Sequence, residues 1–403
     1  MSYCVQQKVC FGADNWCLRL RPLYQAGVLA ALSNGHVHLV DWATGKSVLD
    51  VAAHGSSINA MQVLDSAHDH GNVFATAADD GVKLFDVRTG GCVATLADSK
   101  GVPALSLDSR HGMLACGTEL SGVDAEVHLF TLGEWGRPLR TFVDSHHDDV
   151  TDVKFHPTDT NLLLSGSTDG YVNVYDLTES EEDEALHQVI NFASIHSCGW
   201  LSPKRIWSLS HMETFAIHEL NDKSDQATEP QPQLFGDVRG PWGCDYVVDI
   251  YPGFIATGTT RENAGELRLL PLRGETVDAN NATVLPQAHG DEVVRDVLVP
   301  ASSPELLYSA GEDGNMVIWK STLGPLNVPS DFWDYSKKET VLEDLPSLGL
   351  SGAHAAQQSE QARGVSEREQ PENEEYRQAQ NDGMRRNRSA KHSKKHSSRF
   401  TPY

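Results

Sequence analysis

The sequence predicts an all-β fold, a single seven-bladed β-propeller followed by a disordered tail that ends basic. Three observations carry this reading. Comparable segments HVHLVD, VKLFD, EVHLFT and VNVYD end on Asp41, Asp86, Thr131 and Asp176, each 45 residues after the last. Within each period, short apolar or alternating runs are separated by turn residues, a pattern of strands rather than helices. Residues 146–176, HHDDVTDVKFHPTDTNLLLSGSTDGYVNVYD, form one complete unit: an alternating run at 150–155, a short apolar strand at 162–164, an Asp169-Gly170 turn and a closing strand to Tyr175-Asp176. Such a unit cannot bury its faces alone and needs neighbours of its own kind. A period near 45 is that of a four-stranded propeller blade.

In chain order, residues 8–11 predict a first strand. Blade one takes strands at 18–20, 28–32 and 37–40. Blade two has His54 and strands at 58–63, 73–77 and 82–86, with Asp79, seven positions before Asp86, at the turn. Blade three takes 104–107, 113–116 and 127–131, its turn lengthened at 119–124. Blade four is the unit above. Blade five keeps the strand rhythm at 195–200, 206–209 and 215–220 but loses the Asp-Gly turn. Blade six does so at 246–250, 254–257 and 267–270, around the long polar turn TTRENAG. Blade seven, 289–320, restores Glu312-Asp313-Gly314 and ends on Trp319-Lys320. The propeller therefore occupies residues 1–320.

Beyond it, residues 321–348 hold Leu326, Phe332, Trp333, Tyr335 and Leu342, apolar enough to pack on the ring or to bind elsewhere. Residues 349–403 have little to bury and are expected to be disordered. From 385 the tail is basic, with Arg385, Arg386, Arg388, Lys391, Lys394, Lys395 and Arg399 and no acid. Setting those seven aside leaves 25 basic and 56 acidic residues, a net of −31 against −24 for the whole chain. So acidic a body argues against a ring surface that grips a phosphate backbone. The acidic run TESEEDE (178–184) and the polar stretch 220–233 are expected to be solvated loops.

Seven cysteines, odd in number and without a C-x-x-C pair, read as buried free thiols of a reducing compartment. No apolar run approaches 18 residues and the N-terminus MSYCVQQKVCFG has no signal-peptide core. An intracellular protein with no membrane partner, placed in nucleus and cytoplasm, is expected.

The repeat, with its final aromatic-Asp strand, resembles the WD-repeat family. The runs DDVTDVKFHPTDTNLLLSGSTDGYVNVYDL, TESEEDEALHQVINFASIHSCGW, HGDEVVRDV and SAGEDGNMVIWK are similar to the WD repeat-containing protein 89 family within it. The resemblance covers most of residues 15–320. It implies that the N-terminal strand completes the last blade, which removes an exposed edge. It also implies a scaffold with a basic C-terminal tail and no enzymatic activity to carry over.

The resemblance further implies a hydrogen-bonded set within a blade: His289, Ser309, Asp313 and Trp319 stand at its spacing in blade seven. Blade four has His146 (or His147), Ser165 and Asp169 with Tyr175 for the tryptophan. Blade two has His54 and Asp79 with Ala75 at the hydroxyl position and Phe85 at the tryptophan. A buried imidazole between strands needs a partner, and a turn carboxylate both accepts its proton and fixes its ring. His, Asp and Ser together also suggest a hydrolase triad. Recurrence in three blades argues otherwise, because a nucleophile is needed once and a clamp in every blade.

No cofactor is expected. His36/His38, His68/His70 and His146/His147 are closely spaced, but no cysteine or third ligand stands at zinc spacing, so no metal site is predicted. No strand leads into a glycine-rich phosphate loop and no small-molecule substrate is expected. The leading function is a non-catalytic propeller scaffold for protein–protein interactions, its tail a nuclear localisation signal or an arm for nucleic acid or another acidic partner. The alternative is a substrate receptor of a cullin–RING ubiquitin ligase. There Phe85-Asp86-Val87-Arg88 resembles the Trp-Asp-x-Arg of such receptors, and Asp86 and Arg88 would contact the adaptor. A propeller enzyme would need ionisable residues converging in the central channel.

Overall fold

In the computed structural model, the described residues are 3–322 and 324, apart from 24–25, 65–70, 97–100, 222–230, 252, 261–264, 274 and 301–302. The expectations for 321–348 and for the tail, Arg385 to Lys395 included, fall almost wholly outside them. The described residues form seven antiparallel sheets arranged as a seven-bladed propeller. Blade one is Cys17–Leu23, Gly27–Leu32, His36–Asp41 and Ser47–Ala52. Blade four is Val150–Phe155, Leu162–Ser167, Tyr171–Asp176 and Leu186–Asn191. The diverged blades five and six are complete sheets, and blade six adds a small extra strand, Thr276–Val277, beside its third.

Blade seven takes three strands from the C-terminal end of the ring (Val294–Leu298, Leu306–Gly311, Asn315–Ser321). Its outermost strand, Tyr3–Cys10, comes from the N-terminus and pairs antiparallel with Asn315–Ser321. The ring is thus closed by its own two ends, and the strand edge that an open blade would offer is covered.

Burial explains the strand sequences. Each second strand is sandwiched on both faces, so GVLAAL, VFATAA and LLLSGS are buried at every position and carry apolar or small residues instead of alternating. Fourth strands such as Ser47–Ala52 face solvent and alternate weakly. The cores lie between blades: Leu29, Leu39 and Val51 of blade one pack with Met61, Phe74 and Phe85 of blade two. Gly311 is a glycine for a packing reason, since a Cβ there would stand 2.4 Å from the His289 ring.

Innermost strands share a further feature. In six blades the pairing with the second strand slips by one residue at the same place, for example between Val150 and Asp152 and between Val294 and Asp296. A β-bulge there re-aims the residue that follows it. That residue is Arg19, Asp152, Asp249 or Asp296 in blades one, four, six and seven.

Two expectations change. The run 178–184 is not wholly solvated: Glu182–Ala185 forms one helical turn with Ala185 buried. The Glu182 carboxylate accepts hydrogen bonds from the Val143 and Asp144 N–H groups at 2.8 and 3.0 Å, and Arg140 donates to the Glu179 and Glu181 carbonyls. The seven cysteines are all free, but Cys4, Cys10 and Cys92 are exposed rather than buried.

Candidate functional site

Blade seven holds the full hydrogen-bonded set. Trp319 Nε1 donates to Ser309 Oγ at 3.0 Å, Ser309 Oγ lies 2.8 Å from His289 Nε2, and His289 Nδ1 lies 2.6 Å from Asp313. In blade four His146, not His147, occupies the place, 2.9 Å from Asp169 and 2.6 Å from Ser165. Ser165 donates to the Tyr175 phenol at 3.2 Å, so the phenol stands in the tryptophan's place but accepts where the indole donates. Burial alone would lift the carboxyls of Asp169 and Asp313, but hydrogen bonds from His146 and His289 hold both below their ordinary value.

Blade two requires a correction. His54 pairs with Asp80 rather than Asp79, and its Nε2 lies 2.7 Å from Thr76 Oγ1, so the hydroxyl is Thr76 and not absent at Ala75. Val73–Ala78 and Gly81–Asp86 are joined by a turn one residue shorter than in blade four, with Ala78 directly opposite Gly81. The carboxylate before the turn glycine is therefore Asp80, four positions after Thr76 as Asp169 is four after Ser165. Lys83 Nζ bonds the other oxygen of Asp80 at 2.7 Å. Blade five, which lacks the Asp-Gly turn, keeps a remnant not legible in the sequence: Ser208 Oγ lies 2.9 Å from Nε2 of His218, which stands ten residues on, as Trp319 does from Ser309.

These sets repeat the connectivity of a hydrolase triad, but Thr76, Ser165 and Ser309 are fully buried within blades. No substrate carbonyl can reach those hydroxyls. Their chemistry is to fix one blade's second and third strands to the loop that precedes its first.

The channel lined by the innermost strands carries mixed charge. Arg21 pairs with Asp296 at 3.1 Å and Lys154 with Asp152 at 2.9 Å. The carboxylates also reach across blade boundaries: Asp108 accepts from Phe155 N at 2.7 Å, Asp152 from Cys198 N at 3.2 Å and Asp296 from Leu20 N at 2.7 Å. Burial raises Asp249 to about 6, with Lys154 opposing and Asp296 adding to the shift. The cavity here is only about 100 Å³, below the few hundred Å³ of an ordinary ligand pocket. A larger cleft of about 330 Å³ lies between blades two and three, lined by Leu96, Phe130, Trp135 and Arg137 and by the Glu126–His128 pair, 3.4 Å apart.

Asp86 and Arg88 sit on the opposite side of blade two from its clamp, in the turn after the third strand. Asp86 holds the guanidinium in a fork, with Arg88 Nε 2.9 Å from one carboxylate oxygen, while the Arg88 side chain remains 64 % exposed. The same arrangement occurs at Asp237–Arg239, where a second Asp-Val-Arg run puts Arg239 Nη2 2.6 Å from Asp237.

A seven-bladed ring of four-stranded sheets, latched by its N-terminal strand and clamped by His–Asp–hydroxyl sets, defines a class that sequence comparison identifies. The profile of the WD domain, G-beta repeat, matches residues 136–176. A WD repeat-containing protein of Saccharomyces cerevisiae is 60% identical over 343 residues, 85% of this chain and 88% of its own length. The chain belongs to the WD-repeat family. It is also similar to a WD repeat-containing protein of Schizosaccharomyces pombe, 27% identical over 302 residues that make up 71% of this chain and 90% of that one. The WD repeat-containing protein 89 homolog of Dictyostelium discoideum is 30% identical over 211 residues, 51% of this chain and 56% of its own. Propellers of this family generally serve as non-catalytic protein-interaction scaffolds.

Proposed function

We propose that this protein is a scaffold of nucleus and cytoplasm whose ring face built by the second-to-third-strand and interblade loops docks a basic segment of a partner protein. One observation carries the reading. Trp16, Leu120, Val123, Tyr171 and Met212 are large apolar side chains left exposed, and chain order puts all five at that one end of the blades. Asp14, Asp79, Glu119, Asp148 and Glu292 belong to the same loops. Apolar anchors among carboxylates suit a segment that carries lysine or arginine beside an aliphatic or aromatic residue. A double variant, Val123→Asp with Met212→Asp, should lose the partners that the wild type retains in affinity purification while keeping its melting temperature. Unchanged partners would remove this face from the proposal. Deleting residues 385–403 and imaging the protein tests the tail: relocation out of the nucleus with partners kept supports an address, and loss of nucleic-acid-bound partners with localisation kept supports a binding arm.

A second reading, the ligase substrate receptor, is favoured by Arg88, which is exposed yet held in one orientation by Asp86. Pre-organised arginine is the residue type that interfaces use as an anchor. Recovery of a cullin adaptor with the wild type and its loss in Arg88→Glu would favour this reading over the first. Adaptor binding unchanged by that reversal would eliminate it.

A further inference from the structure

We propose that His36, His38 and Asp50 form a binding site for a single divalent transition-metal ion, zinc by ligand chemistry, on the outer half of blade one. His36 and His38 are two apart on one strand and so share a face. Strand pairing then supplies what chain spacing does not show. Asp50 lies directly opposite His38 in the neighbouring strand and diagonal to His36, which faces Ala52. The three ligand atoms all lie within 4.8 Å of one another. His36 Nδ1 is 2.7 Å and His38 Nε2 is 3.7 Å from the same Asp50 oxygen. Ligand atoms of a tetrahedral zinc ion with metal–nitrogen bonds near 2.0–2.1 Å stand roughly 3.3 Å apart, so the two spacings to Asp50 need to change by roughly half an ångström, which side-chain rotation can supply.

The surroundings assign the protons. The Ser47 hydroxyl donates to the Leu49 carbonyl and lies 2.9 Å from His38 Nδ1, so that nitrogen carries the proton and donates to Ser47. His38 Nε2 is left with a lone pair facing a carboxylate oxygen, two acceptors with no proton between them. A cation bridges both and displaces the proton that His36 Nδ1 shares with the same Asp50 oxygen, which moves to His36 Nε2. The serine acts as an outer partner that fixes tautomer and ring orientation, and the Phe11 ring packs beside it, its centroid 4.9 Å from that of the His38 ring. The Asp50 side chain is 53 % exposed, so the fourth coordination position is open to water.

The test uses the full-length protein, stripped with a chelator and titrated with Zn²⁺ by calorimetry and with Co²⁺ by visible absorption. One ion should bind in the micromolar range. His38→Gln and Asp50→Asn should each weaken it at least tenfold with unchanged circular dichroism, and a His392→Ala/His396→Ala variant should bind as wild type. Zn²⁺ should raise the melting temperature of the wild type and not of His38→Gln. The proposal is overturned if both single variants bind Zn²⁺ as tightly as the wild type, if only the tail variant loses binding, or if the wild type binds no ion below millimolar concentration.

Discussion

Asp296 on the innermost strand of blade seven accepts a hydrogen bond from the Leu20 backbone N–H of blade one at 2.7 Å, across 276 residues of chain. The same carboxylate oxygen takes Arg21 at 3.1 Å, and the Tyr251 hydroxyl of blade six is 3.4 Å from its other oxygen. One buried group therefore joins three consecutive blades at the point where the ring closes, on the channel side. The Tyr3–Cys10 strand closes the same ring on its outer side.

Removing the carboxylate should uncouple this joint. Asp296→Ala leaves the Leu20 N–H without its acceptor and removes the Arg21–Asp296 ion pair, and is expected to cost about 3 kcal/mol in urea unfolding. Asp296→Asn keeps an acceptor for Leu20 and should cost less. Equal stability of Asp296→Ala and wild type would show that the joint contributes nothing.

The turn carboxylates of blade two separate two assignments one residue apart. Asp80→Ala is expected to cost about 1–2 kcal/mol, because His54 loses its Nδ1 partner while remaining buried. Asp79→Ala should lie within about 0.5 kcal/mol of wild type. Asp313→Ala should cost about 1–3 kcal/mol by the same argument. The reverse order for Asp79 and Asp80 would restore the pairing expected from the 45-residue period.

Acid sensitivity should be traceable to His218. Burial lowers this imidazole from its ordinary 6.5 to about 4, so the fold holds it neutral where the unfolded chain would protonate it. The sign follows: the stabilisation is complete above about pH 6.5 and is lost as pH falls from there towards 4. The loss at pH 5 is about 2 kcal/mol at most. His218→Gln should flatten the stability profile between pH 7 and 5 relative to wild type. Parallel profiles would refute this assignment.

Deleting residues 1–10 should expose the edge of Asn315–Ser321 and remove the apolar contact that Tyr3 makes in the core spanning blades six, seven and one. Light scattering should then show concentration-dependent association, the expected fate of an uncovered edge strand. A monomeric truncated ring with the wild-type melting temperature would mean that the latch is dispensable.

Most of the architecture was legible because it is local. The 45-residue recurrence reports a unit that needs neighbours, and continuous apolar runs such as LLLSGS report strands covered on both faces. The strand positions of blades five and six could be read from rhythm alone, and both are full sheets. The clamp of blade seven was legible for the same reason, since its four members keep a spacing set by hairpin geometry. Blade two misled because one missing turn residue moves the paired carboxylate from Asp79 to Asp80, and a count from the strand's far end cannot detect that. The helical turn at Glu182 was hidden because its stabilising contact, to the Val143 and Asp144 N–H groups, comes from the previous blade.

The division follows sequence distance. By itself the sequence determined the all-β class, the number of blades and the approximate strand positions, because these depend on period-two burial, apolar runs and glycine-bearing hairpins that lie within about 45 residues of one another. Only the tertiary structure decided which groups meet across strands and across the closure: Asp50 with His36 and His38, and Asp296 with Leu20 and Arg21. Those meetings depend on ladder register and on the joining of the ring's two ends, and neither leaves a local pattern in the order of residues.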